Sequence, residues 1–183
     1  MASTFNDNKK IWTTSEGIVV LSWVASGTTD VNNYTLRFFN IPATGSITVI
    51  NTLTGQYHTA VPANPPSVSI SPNLKTVVVY DKTPADATKF FARGASISYT
   101  AKTLTEFTIP TWITATQSLV SVSDKYLFAR NIVDNTATPP AKQVGYYFIA
   151  GAALTVYKAP ATVTSTDVIA DWTRTKITET RNG

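Results

Sequence analysis

QVGYYFIAGAALTVYK, residues 143–158, is the stretch on which the fold reading turns. Two apolar runs, VGYYFIA and ALTVYK, flank Ala150-Gly151. Glycine supplies a positive φ without steric cost, so the pair reads as the tight link of an antiparallel hairpin. Side chains alternate along a strand, which sets Tyr146 and Phe148 on one face and Tyr147 and Ile149 on the other. Both faces are apolar or aromatic. A strand open to water on one side alternates apolar with polar, and a strand covered on both sides does not. The hairpin therefore predicts cover on both faces, from the rest of the chain or from another copy of it.

Working outward, the same β signature recurs. Residues 17–25, GIVVLSWVA, are β-branched and aromatic and read as a buried strand. Residues 74–80, LKTVVVY, read as a core strand. Shorter alternating runs at 34–40, 46–51, 57–61, 67–70, 95–99, 103–109, 118–122 and 125–133 are separated by turn clusters such as Ser26-Gly27-Thr28-Thr29-Asp30. Two breaks are stiffer. Pro62-Ala63-Asn64-Pro65-Pro66 is an extended connection, and Pro110 with Trp112 makes the second break. Residues 83–94, TPADATKFFARG, are the helix candidate. Thr83 suits the cap, Pro84 the first helical position, and Ala87, Phe90 and Phe91 share a face at i, i+3, i+4 spacing.

Together these give about ten short strands with turns every 8–12 residues, the pattern of an all-β sandwich or barrel. In a chain of 183 residues the expectation is an antiparallel β-sandwich of jelly-roll type with one short crossover helix. Residues 17–160 form its domain. Residues 1–16 and 161–183 read as terminal arms that order against neighbouring subunits. The expected core includes Val19, Leu21, Trp23, Val77, Val79, Phe128, Phe148 and Val156.

Charged residues make up 14% of the chain, against about 25% in average soluble domains. The surface must then be built of Thr, Ser, Asn, Ala and Pro, a composition that suits the core of a protein–protein patch. The net charge of +4 is spread along the chain, and the adjacent basic pair is Lys9-Lys10. A sequence-specific nucleic-acid reader gathers its cations into a stripe, so that class is not expected. The absence of cysteine excludes disulfides and thiolate chemistry. Residues 1–16 hold no apolar run of a secretion signal, and no run approaches the ~20 apolar residues of a membrane-spanning helix.

Catalytic chemistry finds few carriers. His58 is the single histidine, in QYHTAV, and no Gly-x-Ser-x-Gly elbow accompanies it. Glu106 alternates within LTEFTI as a solvent-facing strand residue, and the aspartates mostly sit at turns or helix starts, where Asx-turn and capping roles account for them. Asp30-Val31-Asn32-Asn33 approaches a calcium loop without its acids at alternating positions. Asn33-Tyr34-Thr35 matches a glycosylation sequon by composition alone.

The aromatic residues remain. Trp12, Trp112 and Trp172, with Tyr146 and Tyr147, are the candidate assembly contacts, because aromatic side chains are enriched at interfaces. Tyr57 and Trp112 are the candidates for stacking on a sugar ring. The expected function is that of a structural, self-assembling virion protein, a viral or phage capsid or capsid-associated subunit. It would be made in the host cytoplasm and would work through contacts with copies of itself or other coat proteins. No catalytic residue, cofactor or metal is expected. The alternative is a carbohydrate-binding β-sandwich module.

Overall fold

The computed structural model describes residues 8–59, 64–115, 118–131 and 142–163. Four strands open the chain: β1 (Asn8–Thr13), β2 (Gly17–Ala25), β3 (Val31–Asn40) and β4 (Thr48–His58). They pair antiparallel in the order β1-β2-β3-β4 as the first sheet. The second sheet is β5 (Ser67–Ile70), β6 (Thr76–Thr83), β7 (Asp86–Ser98) and β8 (Thr103–Phe107), again in sequence order. A five-residue helix, α1 (Thr111–Ala115), precedes the third sheet. That sheet is β9 (Ser118–Val122), β10 (Tyr126–Asn131), β11 (Lys142–Ala150) and β12 (Ala153–Val163), also antiparallel and in order.

The expected β-richness and antiparallel pairing are present, but the jelly-roll connectivity is not. In each sheet the neighbours in space are neighbours in sequence, whereas a jelly roll sends successive strands across to the opposite sheet. Short turns explain the local pairing, because a hairpin closes over a few residues. Gly27 (φ 87°) and Asp30 (φ 59°) turn β2 into β3, and Gly151 (φ 59°) turns β11 into β12 as the opening hairpin predicts. The chain changes sheet where proline interrupts pairing, with Pro65-Pro66 between β4 and β5 and Pro110 between β8 and β9.

The helix expected over residues 84–93 does not form. Thr83 and Asp86 pair across Pro84-Ala85 as the tip of the β6–β7 hairpin, and Thr83 Oγ1 donates to Asp86 O at 2.9 Å. The signals of a helix start, Thr then Pro then Asp, are also those of a turn with Pro at its second position. Beyond the turn β7 is paired on both sides, by β6 and β8, and this pairing overrides the weak helical spacing of the phenylalanines.

The three sheets are stacked, with the second in the middle. One core lies between the first and second sheets and contains Val19, Leu21, Trp23, Leu36, Phe38, Leu53, Val77, Val79 and Ile97. The other lies between the second and third and contains Val78, Phe107, Ile113, Val122, Leu127, Tyr147 and Ile149. β6 supplies both, with Val77 and Val79 on one side and Val78 on the other, all fully buried. It is therefore the strand with both faces covered.

In the third sheet one face goes inward. Leu127, Tyr147 and Ile149 are buried, while Phe128, Tyr146 and Phe148 are half-buried on the opposite face. The expected core thus holds at Val19, Leu21, Trp23, Val77 and Val79. Phe128 and Phe148 yield their places to their immediate neighbours. Both alternating sets are apolar, so period-2 patterning could not choose the face. The side chain of Val156 lies outside the described part.

Two glycines make the layers fit. The Tyr99 ring lies over the Gly17 backbone, in the space a Cβ would occupy, and its hydroxyl donates to Leu74 O at 3.1 Å. The Phe107 ring covers Gly94, its direct partner across β7 and β8. Leu74 takes φ 61° yet is buried, so its packing in the first core holds a backbone conformation that a bulky residue rarely adopts.

The amino-terminal arm expected over residues 1–16 contains β1, paired with β2 from Asn8↔Trp23 to Thr13↔Ile18. The carboxy-terminal boundary drawn at residue 160 falls inside β12, and residues 164–183 lie outside the described residues. Among the described residues no helix is long and apolar enough to cross a membrane.

Candidate functional site

The strand register of the first sheet defines its outer face. Residues directly opposite each other share a face. One row across the sheet is Thr13, Ile18, Phe39 and Val49, and the next is Ile11, Val20, Arg37 and Thr52. A third is Lys9, Ser22, Thr35 and Thr54. Ile11 is 63% exposed and Val49 54%, and Ile18, Val20 and Phe39 are half-buried beside them. Val24, further along β2, is 43% exposed. The opposite face of the same strands carries Val19, Leu21, Leu36 and Phe38 in the core. The first sheet is thus apolar on both sides, and only one side is used by the fold described. Contiguous exposed apolar surface of this kind marks interaction sites.

The charged members of these rows are Lys9 and Arg37, and Arg37 Nη1 reaches Ser22 Oγ at 3.4 Å. β1 is an edge strand whose sequence places Lys9-Lys10 at its start. Lysines on an edge discourage pairing with another strand. The geometry therefore favours contact over the flat outer face rather than sheet extension at this edge.

A second polar constellation lies where the first and second sheets meet. Arg93 makes a bidentate pair with Glu106, with Nη2 to Oε1 at 2.7 Å and Nε to Oε2 at 3.2 Å, and its Nη1 donates to Thr54 O at 2.6 Å. This clamps β4 to β7 and β8. Beside it the Tyr34 ring lies over Gly55 and parallel to Phe91, at 6.2 Å between centroids. Burial pushes the Tyr34 phenol up, against the pull of the Arg93 cation. Burial likewise raises Tyr57, whose hydroxyl donates to Asn64 O at 2.6 Å. Asp81 is raised chiefly by burial, opposed by backbone bonds from Lys82 and Ser67. His58 lies close enough to help lower Asp81.

This set braces the two sheets. Among the described residues, no group of three or more His, Asp or Glu side chains is arranged to hold a metal ion. Asn32, opposite Tyr57 and 1% exposed, makes no well-aligned hydrogen bond through Nδ2 or Oδ1 among the described residues, although its amide lies near enough to the Tyr57 hydroxyl to help lower that phenol. An unmatched buried amide costs its desolvation, and a similarly shaped apolar group does not. Asn32→Leu is therefore expected to leave the unfolding free energy in denaturant unchanged or higher. A fall of more than about 1 kcal/mol would show that the amide has a partner, such as a buried water.

The residues singled out in the sequence separate. Trp12 is half-buried opposite Val19 and packs against the first core, so it anchors β1 to its own sheet. Tyr147 is 2% exposed in the second core and cannot present itself to a neighbour. Tyr57 is fully buried, so its ring is closed to a sugar. Trp112 lies in α1 with its side chain outside the described part, and Trp172 lies outside the described residues. Tyr146 sits on the outer face of the third sheet, stacked on Tyr126 at 5.1 Å. The outer-face residues Ile11, Val20 and Val49 were not singled out. For Val20 the signal was present in GIVVLSWVA, where every alternate position is apolar on both faces except Ser22. Compared with models of known protein families, with curated proteins and with solved structures, the chain finds no match in any of the three.

Proposed function

We propose that this protein is a structural, self-assembling subunit, a viral or phage coat or coat-associated component that acts by packing against copies of itself or other coat proteins. The observation that carries the reading is the outer face of the first sheet. Ile11, Val24 and Val49 gain little from the chain's own fold where they stand, with Val20 half-buried between them, and burial against a neighbour would remove their apolar area from water. The charge-poor composition supports the same reading, since stable interfaces deplete charge in their centres. The virion setting rests on composition and on the use of β-sheet subunits in coats. Stable contacts bury about 800 Å² per partner, an area that one face of a four-stranded sheet can provide.

Electron microscopy of the concentrated protein, alone and mixed with coat proteins of candidate particles, tests the proposal. Regular oligomers or incorporation into particles are expected. Uniform monomers in every mixture would overturn it.

A further inference from the structure

The outer face of the third sheet is built of rings where that of the first is built of Ile and Val. Its register sets Phe128 opposite Tyr146 and Tyr146 opposite Lys158, and the adjacent row pairs Tyr126 with Phe148. Arg130 stands one row further along β10, opposite Val144. Residues directly opposite each other share a face. The alternate set, Leu127, Tyr147 and Ile149, fills the second core. The outer rings are half-buried, so each keeps part of its surface in solvent. They also brace one another. Tyr126 stacks on Tyr146 at 5.1 Å with 12° between the planes, and meets Phe148 edge-on at 5.6 Å.

Charge has one sign along these strands. β9, β10, β11 and β12 contain Arg130, Lys142 and Lys158 and no acidic residue. The strands of the second sheet, by contrast, mix Asp81, Asp86 and Glu106 with their cations. At the β9–β10 turn Asp124 is followed directly by Lys125, which offsets it. A braced aromatic face on a cationic sheet matches both parts of an unpaired nucleic-acid strand. Every base has a flat π face that stacks on an aromatic ring, and the phosphates are attracted by Lys and Arg. A duplex keeps its bases stacked on each other and offers phosphate alone. An apolar protein surface would suit the rings and leave the cations unmatched.

We infer that the outer face of the third sheet binds single-stranded nucleic acid, with bases stacking on the Tyr126, Phe128, Tyr146 and Phe148 cluster and phosphates attracted by the charge of Arg130, Lys142 and Lys158. Stacking tolerates every base, so this is not sequence readout. The assignment does not depend on the assembly proposal, since the two faces are the opposite outer layers of the stack and can be occupied together.

The test is fluorescence anisotropy of the whole protein with labelled oligo-dT and oligo-U strands of about 12 nucleotides, and with a duplex of the same length, between about 50 and 200 mM salt. The single strands are expected to bind at least about tenfold more tightly than the duplex. Phe148→Leu and Tyr146→Leu should each weaken single-strand binding about tenfold. The double variant Arg130→Gln, Lys158→Gln should weaken it and make the slope of log K against log salt shallower by about 1.4, from about 0.7 per phosphate. Lys102→Gln, which removes a cation at the β7–β8 turn, should bind as wild type does. The double variant leaves every ring in place, so it decides the question even where an aromatic variant unfolds. No single-strand binding at the lower salt, equal affinity for strand and duplex, an unchanged salt slope in the double variant, or the same loss in Lys102→Gln would overturn the assignment.

Discussion

Gly17→Ala is expected to lower the midpoint of thermal unfolding by about 5–15 °C, following from a loss of about 2–4 kcal/mol. A methyl group there enters the Tyr99 ring itself, not the end of a flexible chain. Tyr99 is 5% exposed, and its hydroxyl is bonded to Leu74 O. Moving the ring breaks that bond and opens the end of the first core, where Leu74 is held at positive φ. The comparison is Gly27→Ala, whose Cβ would meet nothing within 4 Å but whose φ of 87° disfavours a side chain. That change costs backbone strain alone, about 1 kcal/mol. The double-mutant cycle separates the causes. In a Tyr99→Ala background, Gly17→Ala should cost little, because the obstructing ring is gone. A Gly17→Ala protein melting with the wild type would mean that the Tyr99 ring is not seated over β2.

The second large effect is alkaline. Tyr34, Tyr57, Tyr80 and Tyr99 all have phenols raised above the ordinary value of 10.0, each chiefly by burial, with Tyr99 reaching about 12. A raised folded-state value means that the neutral phenol is favoured in the fold. The stability this represents is whole below pH 10.0, where the unfolded chain is also neutral. It is lost as the pH climbs through the folded-state values, because the unfolded chain releases protons that the folded chain holds. These four tyrosines serve both cores and the sheet junction, so ionising them and unfolding the stack should coincide. Tyrosinate absorbance of the buried groups is expected to rise in one steep step above pH 10.0, together with loss of the β circular-dichroism signal. Tyr99→Phe should make that step shallower. Complete tyrosinate absorbance near pH 10.0 with an unchanged β signal would contradict the burial of these rings.

The sequence was legible where one physical cause acted alone. In LKTVVVY no face is polar, and Thr76–Val79 is buried on both sides. Ala150-Gly151 marked the β11–β12 turn, and the two proline breaks fall where the chain leaves one sheet for the next. It was ambiguous where two causes share a signature. Thr83-Pro84 reads equally as a helix start or a hairpin tip, and only pairing of β7 with β6 and β8 decides. In YLF and YYFIA both alternating sets are apolar, so the choice of Leu127, Tyr147 and Ile149 for the core belongs to packing against Val78 and Phe107. The strand count suited a jelly roll as well as three meanders, because strand lengths and turns say nothing of which sheets face each other.

The candidate surfaces were less legible than the fold. Large aromatic residues were favoured as contacts, yet Tyr57 is fully buried and Tyr147 is only 2% exposed. The exposed apolar face is made instead of Ile and Val, which sequence patterning assigns to a core by default. The meeting of the β5–β6 and β9–β10 turns, held by Thr76 Oγ1 on Asp124 O, joins residues 48 apart in the chain. No local pattern announces such a meeting.

Sedimentation velocity across a range of protein concentrations tests the central claim of assembly through the first sheet's outer face. The comparison is between the wild type and the triple variant Ile11→Lys, Val20→Lys, Val49→Lys. The wild type should sediment as concentration-dependent oligomers, and the variant as a monomer with an unchanged β circular-dichroism spectrum. A wild type that stays monomeric throughout, or a folded variant that associates as the wild type does, would contradict it.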